Sequence, residues 1–352
     1  MTRASAVLSV AATWLLCATA PAQAATTCTG TGFFRDGIEM TAALINPTSI
    51  PATVNATGCN IGIYFDSGTA TITGKDIYGA NYFGVLINGD AANVVVNIAN
   101  NAIHNIGENP FNGTQHGVAL YIRAFFTGFT VTGTVTYNTI FAYQKGGIVV
   151  NGVGAKLSKV DNNHVYGNGH LTYIAQNGIQ IGYGAMPYPN EVDSNYVSGN
   201  SYIGFPGDGS ASGGILVVGG PGYGSCPDGN PCPYTKNTII GVNSAFTQLL
   251  PNFAINNDVG VYVSNLQADG ITAADQPTGV FIIGTRAGDD ICYNTSYQAG
   301  ISDQGNGDWI FSNYIFQGGG YGPACGLGID ITGSVNVVWG NNNVQPTGCF
   351  TL

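Results

Sequence analysis

Residues 138–181 read NTIFAYQKGGIVVNGVGAKLSKVDNNHVYGNGHLTYIAQNGIQI. Two short patterns alternate along this stretch. One is Asn, any residue, then Ile or Val: Asn138-Thr139-Ile140 and Asn163-His164-Val165. The other is Gly before an alternating apolar run: Gly147-Ile148-Val149-Val150 and Gly178-Ile179-Gln180-Ile181. Apolar side chains at every second position mark β-strands, because neighbouring side chains of a strand point to opposite faces. Neither pattern has the spacing of a helix.

Both patterns extend outward along the chain. The Gly pattern recurs at Gly84, Gly117, Gly214 and Gly328, and the Asn pattern at Asn101, Asn195, Asn237, Asn313 and Asn342. Asn138 and Asn163 stand 25 residues apart, Asn163 and Asn195 32 apart. A repeat of variable period with Gly-rich and Asn-rich joints predicts an all-β solenoid whose three-strand coils carry loops of unequal length. Ile and Val face inward, and a stack of Asn side chains at one bend bonds along the axis and satisfies backbone groups of the turn.

These residues resemble the right-handed parallel β-helix repeats of the pectin-lyase-like superfamily, over roughly Gly58 to the C-terminus. The run from Gln144-Lys145-Gly146-Gly147-Ile148 through Ile174-Ala175-Gln176-Asn177-Gly178-Ile179 is similar to secreted bacterial members. The resemblance implies the fold. For function it implies a range: pectate and alginate lyases, polygalacturonase-type hydrolases, epimerases and non-catalytic surface proteins.

The N-terminal end needs a cover, since an open coil exposes strand edges. Asp36-Gly37-Ile38-Glu39 has the spacing of a capping box, which predicts a short helical cap over Met40–Ile45, within a cap region 25–57. Ser244–Gln276 breaks the rhythm and predicts an irregular coil. No linker interrupts the repeat, so residues 25–352 read as one domain.

Ahead of it, Arg3, the apolar run Ala4–Ala20 and Ala22-Gln23-Ala24 read as a secretory leader over 1–24, with a mature start at Ala25. Cys17 falls in that leader. Cys28, Cys59, Cys226, Cys232, Cys292, Cys325 and Cys349 are too sparse to be the scaffold and suit staples in an exported protein. Cys226 and Cys232 bracket Pro-Asp-Gly-Asn-Pro, a turn a local disulfide closes, and Cys28 with Cys59 pins the N-terminal region. The odd count leaves one thiol over. No pair has zinc spacing, no metal site is expected, and no further run is long and apolar enough to span a membrane.

Only 8% of residues are charged, Gly numbers 53, and the net charge is −10. The acidic balance argues against nucleic acid as a partner, since phosphate binding is driven by clustered Lys and Arg. An extracellular polysaccharide is the expected partner. The four histidines, His104, His116, His164 and His170, share one region with Arg123, Lys145, Lys156 and Lys159. In a solenoid that region is a few adjacent coils, so these groups are expected to converge.

The register sets out columns along the axis: Ala102, Thr139, His164, Tyr196, and beside it His104, Phe141, Tyr166, Ser198. Stacked aromatic and imidazole rings suit the C–H faces of sugars. Gln115, Lys145, Gln176 and Gln298 form a further polar ladder. Binding contacts are expected from His104, His116, Gln115, Gln176 and Tyr196. A β-eliminating lyase needs a base, a carboxylate clamp and an acid: Lys145 or His164 as base, Arg123 as clamp, Tyr166 or His170 as acid. A glycoside hydrolase needs two carboxyl groups. Asp161 and Asp193, each two residues before a ladder Asn, are that pair, unless they are structural or hold a cation. Ca²⁺, which many lyases of this fold use, is the one cofactor in question, at Asp289 and Asp290. Lyase chemistry leads because basic groups and histidines coincide; non-catalytic glycan binding is the remaining class.

Overall fold

The computed structural model describes residues 27–185, 191–204, 210–220, 224–241, 251–264, 277, 280–283, 285–289, 299–316, 327–332, 336–338 and 342–345. Within them the strands form three long sheets of 11, 9 and 10 strands. The chain visits them in rotation. Gly146–Asn151 lies in the first sheet, Ala155–Asp161 in the second and His164–Leu171 in the third, and Asn177–Gly182 then returns to the first. Each pairs in parallel with its counterpart one coil away. This is a parallel β-helix.

The inward columns are the apolar residues the alternation marks. In the first sheet Leu120, Ile148, Ile179 and Ile215 follow one another in register. Val135, Val160 and Val192 do so in the second, and Ile140, Val165 and Val197 in the third. All are fully buried. The Gly of the Gly-Ile pattern has a steric cause. A Cβ on Gly147 would stand 2.4 Å from Val165 Cγ1 and 2.5 Å from the Gly178 carbonyl oxygen, where the first and third sheets meet. Gly117 lies outside this column, because Ala119 pairs with the strand positions of Gly84 and Gly147.

The asparagine stack stands where the second sheet turns into the third. Asn138 donates from its backbone N–H and from Nδ2 to Asn163 Oδ1, both at 3.0 Å, and Asn163 repeats this toward Asn195. Nδ2 of Asn163 also donates to the Val135 carbonyl. The residue before each Asn (Tyr137, Asn162, Ser194) has a positive φ, which turns the chain within two residues. One expected member is misplaced. Asn237 is exposed and leads into the second sheet; Asn252 accepts from Asn195 instead.

The helical cap is corrected outright. Ile38–Ile45 is strand β2, paired antiparallel with β1 (Thr29–Arg35) through Asp36 and Gly37, whose φ angles are 53° and 81°. Asp-Gly is the favoured pair for a two-residue turn with both φ positive, and that hairpin signal outweighs a capping box. β2 then continues the first sheet. Cys28–Cys59 and Cys226–Cys232 are disulfides, as expected. The leader 1–24, Ala25, Cys292, Cys325, Cys349, Gln298, Asp290 and much of Ser244–Gln276 lie outside the described residues.

Candidate functional site

The expected convergence does not occur, because the named side chains leave the coil on different faces. On the third sheet the predicted columns exist: Ala102, Thr139, His164 and Tyr196 are in register, as are His104, Phe141 and Tyr166. Tyr78, His104 and Phe141, however, stack along the axis, whereas His164, Tyr166 and Tyr196 are tilted by 30–60° to one another. His104 lies 4.7 Å from Phe141 at 7° and 5.2 Å from Tyr78 at 14°. Rings stacked in this way cover one another's faces and offer solvent their edges. The stacked rings tie coil to coil and offer no platform for a sugar face; Tyr166, tilted against Tyr196, is not covered in this way. His104 Nε2 also meets Asp76 at 2.9 Å, and His164 Nδ1 meets Tyr166 Oη at 3.1 Å. Tyr196 packs between His164 and Phe253. His170 Nδ1 reaches buried Ser201 at 2.9 Å.

Three further candidates are engaged in structure. Arg123 is buried in an ion pair with Asp90 at 2.5 Å, its guanidinium over the rings of Phe33 and Phe125. That pairing uses the charge a carboxylate clamp would need. Gln176 is fully buried and donates to the carbonyl oxygens of Tyr143 and Gln144, so burial removes it from any ligand. His116 stacks on Tyr82 at 3.9 Å and meets Glu108 at 2.6 Å, bracing the loop between the third and first sheets. Asp161 and Asp193 are register partners as expected, but both are buried and neither lines a described cleft.

Two candidates do come together, on the outer face of the first sheet. Lys145 and Gln115 line a groove of about 340 Å³ with Arg35, Tyr121, Gln180 and Tyr183. Its floor is the outward column Tyr121, Val149, Gln180. Lys145 and Gln115, just before their strands, form one bank. Phe125 and Tyr183, just after theirs, form the other with the disulfide-closed turn Cys226–Cys232, which packs on Phe125. Arg35 reaches in from the hairpin, Nη2 donating to the Gln115 carbonyl at 3.4 Å and its guanidinium 5.4 Å over Phe83.

The chemistry of this groove differs from that of the whole chain. Among its described lining residues Arg35 and Lys145 are the charged groups and none is a carboxylate; Asp36, in the hairpin turn, meets Arg35 Nε at 3.7 Å. Lys145 Nζ donates to the Ala175 carbonyl at 2.8 Å, and burial pulls its pKa down to about 8. Burial pushes the Tyr183 phenol up to about 12, with Tyr121 adding to the rise, so at neutral pH it holds its proton. Gln180 donates to Asn151 Oδ1 at 3.1 Å, and Asn151 Nδ2 reaches Tyr121 Oη at 3.4 Å. Amides and phenols beside two cations suit a hydroxyl-rich, anionic ligand.

A family model, the right handed beta helix region, matches residues 42–224, just over half of the chain. The chain belongs to the right-handed β-helix family. No curated protein and no solved structure matches it. Membership in the β-helix family settles the solenoid and assigns no chemistry.

Arg35, Tyr121 and Tyr183 of this β-helix were missed by the sequence reading. The Asp-Gly hairpin signal was the one route to Arg35, since it folds β1 back over the first sheet. Among the described residues, no three His, Cys, Asp or Glu side chains cluster to hold a metal. Asp289 closes the strand Arg286–Asp289. No helix of the described residues is long and apolar enough to cross a membrane.

Proposed function

We propose that the protein is an exported, polysaccharide-active enzyme: a β-eliminating lyase acting on a uronate-containing glycan in the groove of the first sheet. One observation carries the reading. In a chain of net charge −10, the described lining of the groove carries Arg35 and Lys145 and no carboxylate. The ion pair of Arg35 with Asp36 is long, 3.7 Å, and exposed to solvent, unlike the buried pair of Arg123. A uronate carboxylate is the anion such a site takes from a sugar polymer. Two disulfides and the leader-like residues 1–24 support export.

In this reading Arg35 pairs with the uronate carboxylate and draws electron density from C5. The neutral amine of Lys145 takes the C5 proton. The electron pair forms the C4–C5 double bond as the C4–O4 bond breaks, and the Tyr183 phenol supplies the proton to the leaving oxygen. Burial serves both roles, lowering the amine toward neutrality and keeping the phenol protonated.

A hydrolase on Asp161 and Asp193 has their register in its favour, but neither lines a groove among the described residues. A non-catalytic glycan-binding role uses the same groove as the lyase. Incubation with a panel of polyuronates and neutral glycans separates the three. New ultraviolet absorbance from unsaturated uronate supports the lyase, reducing ends without absorbance support the hydrolase, and retention without products supports binding alone.

A further inference from the structure

The Cys226–Cys232 disulfide covers the groove's proton donor as well as closing a turn. The turn folds back on itself: Cys226 N–H donates to the Asn230 carbonyl at 2.8 Å, Ser225 and Pro231 form a bridge, and Asp228 accepts from Asn230. Between and beside the cysteines stand only Ser, Pro, Asp, Gly and Asn, which are too small or too polar to make an apolar cover. The two sulfurs supply it. Cys226 and Cys232, 6% and 4% exposed, form one buried cluster with Phe125, and Tyr183 packs against it. The rings of Phe125 and Tyr183 lie 6.3 Å apart beneath them. The chain after the turn is fixed separately, Thr235 Oγ1 accepting from Gly184 N–H at 3.3 Å.

Burial is the first cause that holds the Tyr183 phenol at about 12; Tyr121 adds to the rise, and Arg35, paired with Asp36 at 3.7 Å, opposes it. Lys145 stands on the opposite bank, and Asp228 is turned back on Asn230. Opening the disulfide takes apolar material off the ring and readmits water, so the phenol ionises nearer its ordinary value of about 10. We propose that closure of Cys226–Cys232 completes the groove by positioning Tyr183, which makes the groove's chemistry dependent on oxidation. The two cysteines are positioning residues that act through Tyr183. In closure the two thiols pass two electrons and two protons to a disulfide oxidant, which becomes two thiols as the new S–S bond forms. This rests on the lyase reading above and adds its redox control. A chain held in a reducing compartment lacks its seated proton donor and gains it on export.

The full chain carrying Cys226→Ser and Cys232→Ser tests this, with circular dichroism to check the fold. Its rate on a polyuronate is expected to be at least about tenfold below native. Its alkaline fall is expected near pH 10, where the native rate holds to about 12. Phenolate ultraviolet absorbance needs no substrate, and one more phenol is expected to ionise below about pH 11 in the variant than in the native chain. Dithiothreitol is expected to lower the native rate reversibly, to act likewise on a Cys28→Ser, Cys59→Ser chain, and to leave the Cys226→Ser, Cys232→Ser chain unchanged. This arm reads the proposal even if the latter variant fails to fold, through the native and Cys28→Ser, Cys59→Ser chains. A native-like rate and alkaline limb, an unchanged phenol titration, or a reductant response that requires Cys28 and Cys59 overturns the switch and leaves the uronate reading standing. No lyase activity in the native chain overturns that reading, and the phenol titration then still decides whether the disulfide covers Tyr183.

Discussion

Lys145 and Ala175 are joined by one hydrogen bond, from Nζ to the carbonyl oxygen at 2.8 Å. The contact bridges consecutive coils, and Asn177 N–H returns to the Lys145 carbonyl at 3.0 Å. It holds the amine at the groove while leaving it able to carry or release a proton.

From this follows a pH dependence. With its pKa drawn to about 8 by burial, the amine loses its proton as pH rises through that value. Lyase activity is expected to rise with pH across the same range, and Lys145→Ala to lower kcat about 10²–10⁴-fold. Initial rates across pH on a polyuronate check both. The stability sign is also determined. Between about 8 and the ordinary lysine value near 10.4 the unfolded chain binds the extra proton, so this group's contribution to stability increases with pH there.

The asparagine stack sets the second prediction. Asn163 accepts from Asn138 and donates to Asn195 and to the Val135 carbonyl, all in the interior. Asn163→Leu strands these partners, and a loss of about 1–3 kcal/mol for each unsatisfied group is expected in denaturant titrations. Asn237→Gly keeps the positive φ of 51° at an exposed position and is expected to change little.

How far the sequence was readable follows from where its signals are local. Strand periodicity, the inward Ile and Val columns and most of the asparagine stack depend on neighbours in the chain, and all were legible. Asn237 deceived because an Asn-x-Ile triplet marks a turn into a strand without saying which sheet follows. The hairpin was misread because Asp36-Gly37 sits inside a pattern that also fits a capping box. The groove was the least legible part. Arg35 and Gln115 are 80 residues apart, and only the folding back of β1 joins them. The columns on the third sheet had the correct register, but register does not reveal whether a ring shows its face or its edge.

Phe141 distinguishes those alternatives. Its ring is stacked on His104 at 4.7 Å and is 38% exposed. Phe141→Ala is expected to cost about 0.5–1.5 kcal/mol for the lost stack and to leave glycan affinity unchanged. Thermal unfolding and calorimetry on the same variant measure the two effects.

Gly147 offers a steric test of the coil corner. Gly147→Ala places a methyl group 2.4 Å from Val165 Cγ1, and overpacking there is expected to cost about 1–3 kcal/mol. A variant with an unchanged unfolding midpoint would remove the close approach of the first and third sheets as the reason for that glycine.

The central claim is that uronate elimination takes place in the groove of the first sheet, and one assay meets it directly: ultraviolet absorbance of unsaturated uronate during incubation with a polyuronate panel. The account predicts an absorbance gain with the native chain, its loss in Lys145→Ala, and its retention in His164→Ala and Asp161→Asn. A gain that survives Lys145→Ala and disappears in His164→Ala would move the chemistry to the third sheet, and no gain on any polyuronate would contradict the lyase altogether.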